Sequence, residues 1–126
     1  IWVEALFSQA ILNIVKNAQQ ALLLTTNPVI TIKSRVSYSQ PINGNLHPTL
    51  CEVSIIDNGP GIPTDIQEQV FFPMVSSKED GSGLGLSISQ DIIRIHGGAI
   101  TFKTKSGETA FSIQIPIKLN TEVQSA

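Results

Sequence analysis

The chain has 126 residues, with 8 basic and 10 acidic side chains and a formal charge of −2. That length fits one domain, folding of which buries roughly two-thirds of the surface its unfolded chain exposes, and no apolar run approaches the roughly 18 residues of a membrane span. No cluster of lysine and arginine offers a nucleic-acid surface, so any bound polyphosphate must be held by local donors and a metal ion, not by the global field.

The single cysteine, Cys51, cannot form an internal disulfide. Its place in an alternating segment makes it a small buried hydrophobe, and a reducing, cytoplasmic setting fits. No secretory signal pattern opens the chain. It starts Ile1-Trp2-Val3, without an initiator methionine, which reads as a fragment of a longer protein.

From Glu4 to about Leu24 the pattern is helical, with Phe7, Ile11, Ile14, Ala18 and Leu22 on one face. Gln9, Asn13, Asn17 and Gln20 fall roughly opposite. Asparagine is poor in mid-helix because its side chain competes for backbone groups; two of them one turn apart are either part of a solvated face or held there for a ligand. Thr25 to Pro28 ends the helix, and Ile30 to Val36 alternates as a half-buried strand does. Gln40 to Thr49, with Pro41, Asn43-Gly44 and Pro48, has the composition of a hairpin loop. Cys51, Val53 and Ile55 then define a partner strand that delivers Asp57 at its end, where scaffolds mount chemistry.

Thr64 to Glu68 reads as a capped short helix, followed by Phe71-Phe72-Pro73-Met74. Val75 to Asp80 is short and mostly polar, a candidate lid. Next come three glycines at alternate positions, Gly81-Ser82-Gly83-Leu84-Gly85-Leu86. They suit close backbone approach to an oxyanion at a helix start, although such loops also serve as plain turns. From Leu84 to His96 the residues Leu84, Ile88, Ile92 and Ile95 trace an apolar helix face, stopped by Gly97-Gly98. Two strands follow, one carrying Ile100, Phe102 and Thr104 and the other Phe111, Ile113, Ile115 and Ile117, across the turn Ser106-Gly107-Glu108. Leu119 to Ala126 reads as a frayed tail. Four amphipathic strands with helices on one face make a two-layer α/β sandwich of the α+β kind, in a single domain over residues 1–126.

Four segments together are specific. In order, Asn13-Ile14-Val15-Lys16-Asn17-Ala18, Asp57-Asn58-Gly59-Pro60-Gly61, Phe71-Phe72-Pro73 and Gly81-Ser82-Gly83-Leu84-Gly85-Leu86 resemble the N box, first glycine box, F box and second glycine box of sensor histidine kinases. The resemblance runs from about Leu6 to Ile117. It implies a Bergerat-type ATP-binding fold, a mixed β-sheet with helices on one face, shared with gyrase-type topoisomerases, heat-shock chaperone ATPases and mismatch-repair ATPases. The run from Phe71 through a short lid to Ile88 is similar to the nitrogen-regulation sensor kinases.

The resemblance also implies roles. Asn17 matches the position whose side-chain oxygen ligates Mg²⁺, and Asn13, one turn earlier on the same face, the position that contacts the metal's waters or the phosphates. Asp57 matches the acceptor of the adenine amino group; by itself, an Asp before Gly is also a turn cap. Gly59 and Gly61 let the chain pass under the base. Thr109 matches a position that helps hold adenine, or is an exposed strand threonine. Gly83 and Gly85 are phosphate-loop glycines flanked by Leu84 and Leu86, and Ser82 either caps the next helix or donates to an oxygen. Lys78, the cation of the lid, either pairs with the terminal phosphates or is solvated. Phe71 and Met74 read as packing under the lid.

Two departures bear on chemistry. ATP-hydrolysing relatives carry a Glu at the position of Asn13, and an amide cannot take water's proton at neutral pH. Kinases of the family transfer phosphate to a histidine that precedes an acidic residue and soon a proline, on a helical dimerisation domain. Neither His47 beside Pro48 nor His96 beside Gly97 fits, so the acceptor belongs elsewhere. The implied function is transfer of the γ-phosphoryl group of Mg-ATP to a histidine on a separate, dimeric phosphoacceptor domain of the same protein. A response regulator is the onward recipient and a small signal-transduction protein a regulator, with neither nucleic acid nor membrane touched by this domain. The rivals are an ATPase clamp of the gyrase or mismatch-repair type, which calls for Glu at 13 and a longer lid, and a non-catalytic nucleotide-binding or interaction module. A serine-kinase anti-sigma factor would likewise carry Glu at position 13.

Overall fold

The computed structural model describes residues 4–37, 49–72 and 85–117. The elements are, in order, α1 (Glu4–Ala21), β1 (Ile30–Ser37), β2 (Thr49–Asp57), a 3-10 helix (Thr64–Gln69), α2 (Gly85–Ile95), β3 (Ala99–Lys105) and β4 (Glu108–Ile117). The candidate lid, most of the hairpin loop with His47, and the C-terminal tail lie outside the described residues.

The strands form one four-stranded sheet in the order β1-β2-β4-β3. All three pairings are antiparallel, whereas a mixed sheet was expected. The connection through α2 does make β2 and β3 run the same way, but the β3–β4 hairpin folds β4 back between them, so no parallel neighbours meet among the described strands. This register sets Asp57 across from Thr109.

The helices lie on one face, α1 over β2 and α2 over β3. Ala10, Ile14, Ala18 and Leu22 of the α1 segment are buried, and Ile55, Ile93, Phe111 and Ile113 meet them in the core. Phe71 packs edge-on to Phe102 at 5.9 Å and Phe111 at 6.1 Å between ring centroids; the lid it was expected to lie under is outside the described residues. Met74 lies outside the described residues. Strand β1 is more exposed than its alternation suggested, with Ile32 and Val36 open to solvent. It stands at the sheet edge, beyond the cover of α1. Cys51, paired with Val36, is accordingly half-buried, not buried.

Helix α2 differs most from expectation. Its buried residues are Ser87, Ser89, Ile92 and Ile93, and Ile95 is 69% exposed. Of the stripe Leu84, Ile88, Ile92 and Ile95, Ile92 is buried, Ile88 and Ile95 are exposed, and Leu84 lies outside the described residues, so the buried face is turned toward Ser87, Ser89 and Ile93. Small residues allow the two helices to approach: Ser89 is fully buried and its hydroxyl donates to the Ala10 carbonyl at 2.9 Å. That bond satisfies a polar group that burial would otherwise penalise. The helix stops in a Schellman motif, with Gly97 N–H on Arg94 O and Gly98 N–H on Ile93 O, both at 2.9 Å. Gly97 sits at φ +81°, where a side chain is strained. His96 lies at that end, its Nδ1 2.7 Å from Ile92 O and its ring against Phe7.

The 3-10 helix has no side-chain cap, contrary to the capped helix expected. Pro63 precedes it and brings no polar side chain, and the anchor is instead Gln67, whose Nε2 donates to Ile62 O at 2.9 Å. Among the described residues no helix is long and apolar enough to cross a membrane.

Candidate functional site

Strand β2 ends on a carboxylate. Asp57 is 3% exposed and its register partner Thr109 4%, so Thr109 is not the exposed strand threonine of the alternative reading. Asp57 Oδ1 accepts the Gly59 N–H at 2.9 Å, which makes the residue a turn cap as well. A carboxylate has roughly four acceptor sites, so this cap is compatible with a second donor from a ligand.

The loop after Asp57 is fastened on both sides. On one, Asn58 Oδ1 accepts Val29 N–H at 2.8 Å and Asn58 Nδ2 donates to Asn27 O at 3.0 Å, tying the loop to the α1–β1 connection. On the other, Ile62 N–H donates to Thr104 Oγ1 at 2.9 Å, and Thr104 Oγ1 lies 2.8 Å from Thr109 Oγ1. Gly61 has φ +93°, and a Cβ there would stand 2.6 Å from Lys105 O. Both facts require glycine, and the crowding comes from the protein's own backbone. Sequence reasoning assigned no role to Asn58, Gln67 or Thr104. The one available signal was Thr104, a polar residue at an inward position of β3 after Ile100 and Phe102.

The other end of the site is built on α1. Asn13 and Asn17 are half-buried, and a methyl group placed on Gly85 would stand 3.7 Å from Asn13 Cβ. The first residue of α2 therefore abuts Asn13, and a helix start carries a partial positive charge. Neither Asn13 nor Asn17 makes a side-chain hydrogen bond to another described residue. Leu86 packs against the core. Lys78, Ser82, Gly83 and Leu84 lie outside the described residues.

Helix α1 joins the two ends. A Cβ on Gly59 would lie 3.1 Å from Ala21 O, so Asn13 touches the start of α2 while Ala21, about 12 Å further along the axis, touches the loop after Asp57. Asn17 lies between. No three His, Cys, Asp or Glu side chains cluster to hold a metal among the described residues. An amide oxygen on α1 suits a cation such as Mg²⁺, which keeps several waters and leans on substrate phosphates.

An antiparallel sheet with a buried carboxylate at a strand end, covered by a helix that bears an amide pair, one member of it against a second helix's first residue, describes a nucleotide-binding ATPase domain. The family model of histidine kinase-, DNA gyrase B- and HSP90-like ATPases matches residues 3–119, and the chain belongs to that family. It is similar to the sensory histidine kinase/phosphatase NtrB of Vibrio alginolyticus, 47% identical over 109 residues, which are 86% of this chain and 31% of that relative. The chain thus spans about a third of the length of the curated relatives it matches. Among solved structures, a mycobacterial sensor histidine kinase, MprB, superposes with TM-score 0.69 and 28% identity, covering 92% of this chain and 75% of that one. The nucleotide-free catalytic domain of the histidine kinase ThkA gives TM-score 0.68 at 33% identity, covering 89% and 66%.

Proposed function

We propose that this chain is the ATP-binding catalytic domain of a cytoplasmic sensor histidine kinase of the nitrogen-regulation type, and that it presents the γ-phosphoryl group of Mg-ATP to a histidine on a separate dimeric domain. The observation that carries the reading is the convergence along α1, with Asn13 against the start of α2, Asn17 one turn further along, and the Asp57 loop against the helix's far end. Phosphoryl transfer asks a protein for alignment and charge stabilisation more than covalent chemistry, and a helix spanning both ends of a bound nucleotide supplies alignment.

In this reading Asp57 accepts the adenine amino group and Thr109 stands beside it. Gly59 and Gly61 let the loop close under the base. Asn13 and Asn17 face the phosphates, with Asn17 the ligand to Mg²⁺. When bound, Mg²⁺ neutralises charge on the β- and γ-phosphate oxygens. Ser82, Gly83, Leu84, Gly85 and Leu86 form the phosphate loop, and Lys78 pairs with the terminal phosphates. An amide at position 13 leaves water unactivated, which favours transfer over hydrolysis. The resemblance to the sensory histidine kinase/phosphatase NtrB supports a response regulator as onward recipient; a small signal protein as regulator is part of the same proposal.

Isothermal titration of Mg-ATP against the chain, Asn17→Ala and Asp57→Ala tests this. The Asp57 variant is expected to lose preference for adenine, and the Asn17 variant to lose magnesium dependence. Equal binding by all three proteins overturns the assignment. A separately prepared acceptor-helix domain, added with labelled ATP, then distinguishes a kinase from a binder.

A further inference from the structure

We infer that Thr104 is a positioning residue that sets the hydrogen-bond polarity of the base site. The inference rests on the adenine reading of Asp57 and Thr109 and adds to it a residue that no motif marks. Ile62 N–H can only donate, so Thr104 Oγ1 accepts there at 2.9 Å. Thr104 has one hydroxyl hydrogen left, and Thr109 Oγ1 is 2.8 Å away. Either hydroxyl could be the donor of that bond; in the inferred arrangement Thr104 gives its hydrogen to Thr109, the hydrogen of Thr109 turns away from Thr104, and Thr109 becomes a donor to whatever lies beside Asp57, its partner across the sheet.

The pair then offers an acceptor, Asp57, next to a donor, Thr109. Adenine offers the complement, an amino donor at the 6-position next to an acceptor at N1. Hypoxanthine and guanine reverse both, with an oxygen at the 6-position and N1–H. In that arrangement the Ile62 N–H occupies one acceptor site of Thr104, biases its hydrogen toward Thr109, and so biases the choice between purines. Because Gln67 holds the carbonyl of the same Ile62 at 2.9 Å and Gly61 lies against Lys105, the residue that starts the relay is fixed from several sides. A mismatch in such a buried polar site leaves groups unpaired and is costly.

The test compares Mg-ATP with Mg-ITP, which differs from it only in the purine ring's polarity, on the chain and on Thr104→Val and Thr104→Ser by isothermal titration. The unsubstituted chain is expected to prefer ATP by at least about tenfold. Thr104→Val should reduce that preference by about fivefold or more, mainly by weakening ATP, and Thr104→Ser should restore it to within about twofold. Equal weakening of both nucleotides by Thr104→Val assigns the residue a merely structural role and overturns the inference, as does an unchanged preference. Should Thr104→Val not fold, Thr104→Ala takes its place, and failure of both to fold also overturns it. A chain that binds neither nucleotide, or binds ITP as well as ATP before any substitution, instead removes the adenine reading itself.

Discussion

The two ends of the site are built on opposite plans. At the base end nearly every polar group is bound to protein: Asp57 to Gly59, Asn58 to Asn27 and Val29, Ile62 to Thr104 and Gln67, and Thr104 to Thr109. At the end proposed to hold the phosphates, Asn13 and Asn17 are half-buried on α1 with no side-chain hydrogen-bond partner among the described residues. Under the proposed function, the difference fits what each end would recognise. A purine is rigid and is told from its analogues by one or two hydrogen bonds, so directional groups fixed before binding are required. A hydrated metal with its phosphates brings its own geometry, and oxygen ligands on a helix suffice.

The comparison breaks if the base end tolerates loosening. Gly61→Ala carries the largest expected effect, because it combines a left-handed backbone with a Cβ 2.6 Å from Lys105 O. A loss of about 2–4 kcal/mol in urea unfolding is expected, with adenine affinity falling further than stability alone requires. A variant within about 0.5 kcal/mol of the unsubstituted chain would show that this loop is not fixed by contact with β3. Asn58→Ala comes next. It deletes two hydrogen bonds, at 2.8 and 3.0 Å, for about 1–2 kcal/mol, and native-state hydrogen exchange at the Val29 amide should speed up. Asn58→Asp keeps the acceptor for Val29 but sets a carboxylate oxygen against the Asn27 carbonyl, so a cost at least as large as that of Asn58→Ala is expected; a smaller loss would show that the bond to Asn27 contributes little.

What was legible in the sequence follows the same division. Large inward side chains at helix and strand spacing marked the buried face of α1 and the inward rows of β2, β3 and β4, because period and hydrophobicity coincide there. The motif residues marked the site, but the means of holding Asp57 and Thr109 did not show. Asn58 acts through two hydrogen bonds to the α1–β1 connection, and Thr104 through one to distant Ile62 and one across the hairpin to Thr109, and neither composition nor period encodes a partner. The same blindness misplaced the face of α2. A stripe of isoleucines outweighed Ser87 and Ser89, although helices that approach closely need small residues, and a serine bonded to Ala10 O is as good a core residue as alanine there. The place of β4 between β2 and β3 was equally hidden, since each strand's alternation says which face is inward but not which strand is next to it.

The smallest expected effect sharpens the comparison most, because its sign differs from that of the others. Asparagine costs up to about 0.7 kcal/mol relative to alanine in a helix interior, and Asn17, at mid-helix in α1, has no side-chain partner among the described residues to offset that cost. Asn17→Ala should therefore unfold at slightly higher denaturant, with a gain of about 0.5 kcal/mol, while its binding of ATP ceases to respond to Mg²⁺. Urea unfolding and nucleotide titration on the same preparation read both quantities. A residue kept for the fold would lower stability on removal, so a loss above about 1 kcal/mol would mean that Asn17 is structural and that the two ends follow the same plan. Stability gained as magnesium dependence is lost has only one physical source: an amide held on the helix for what it binds.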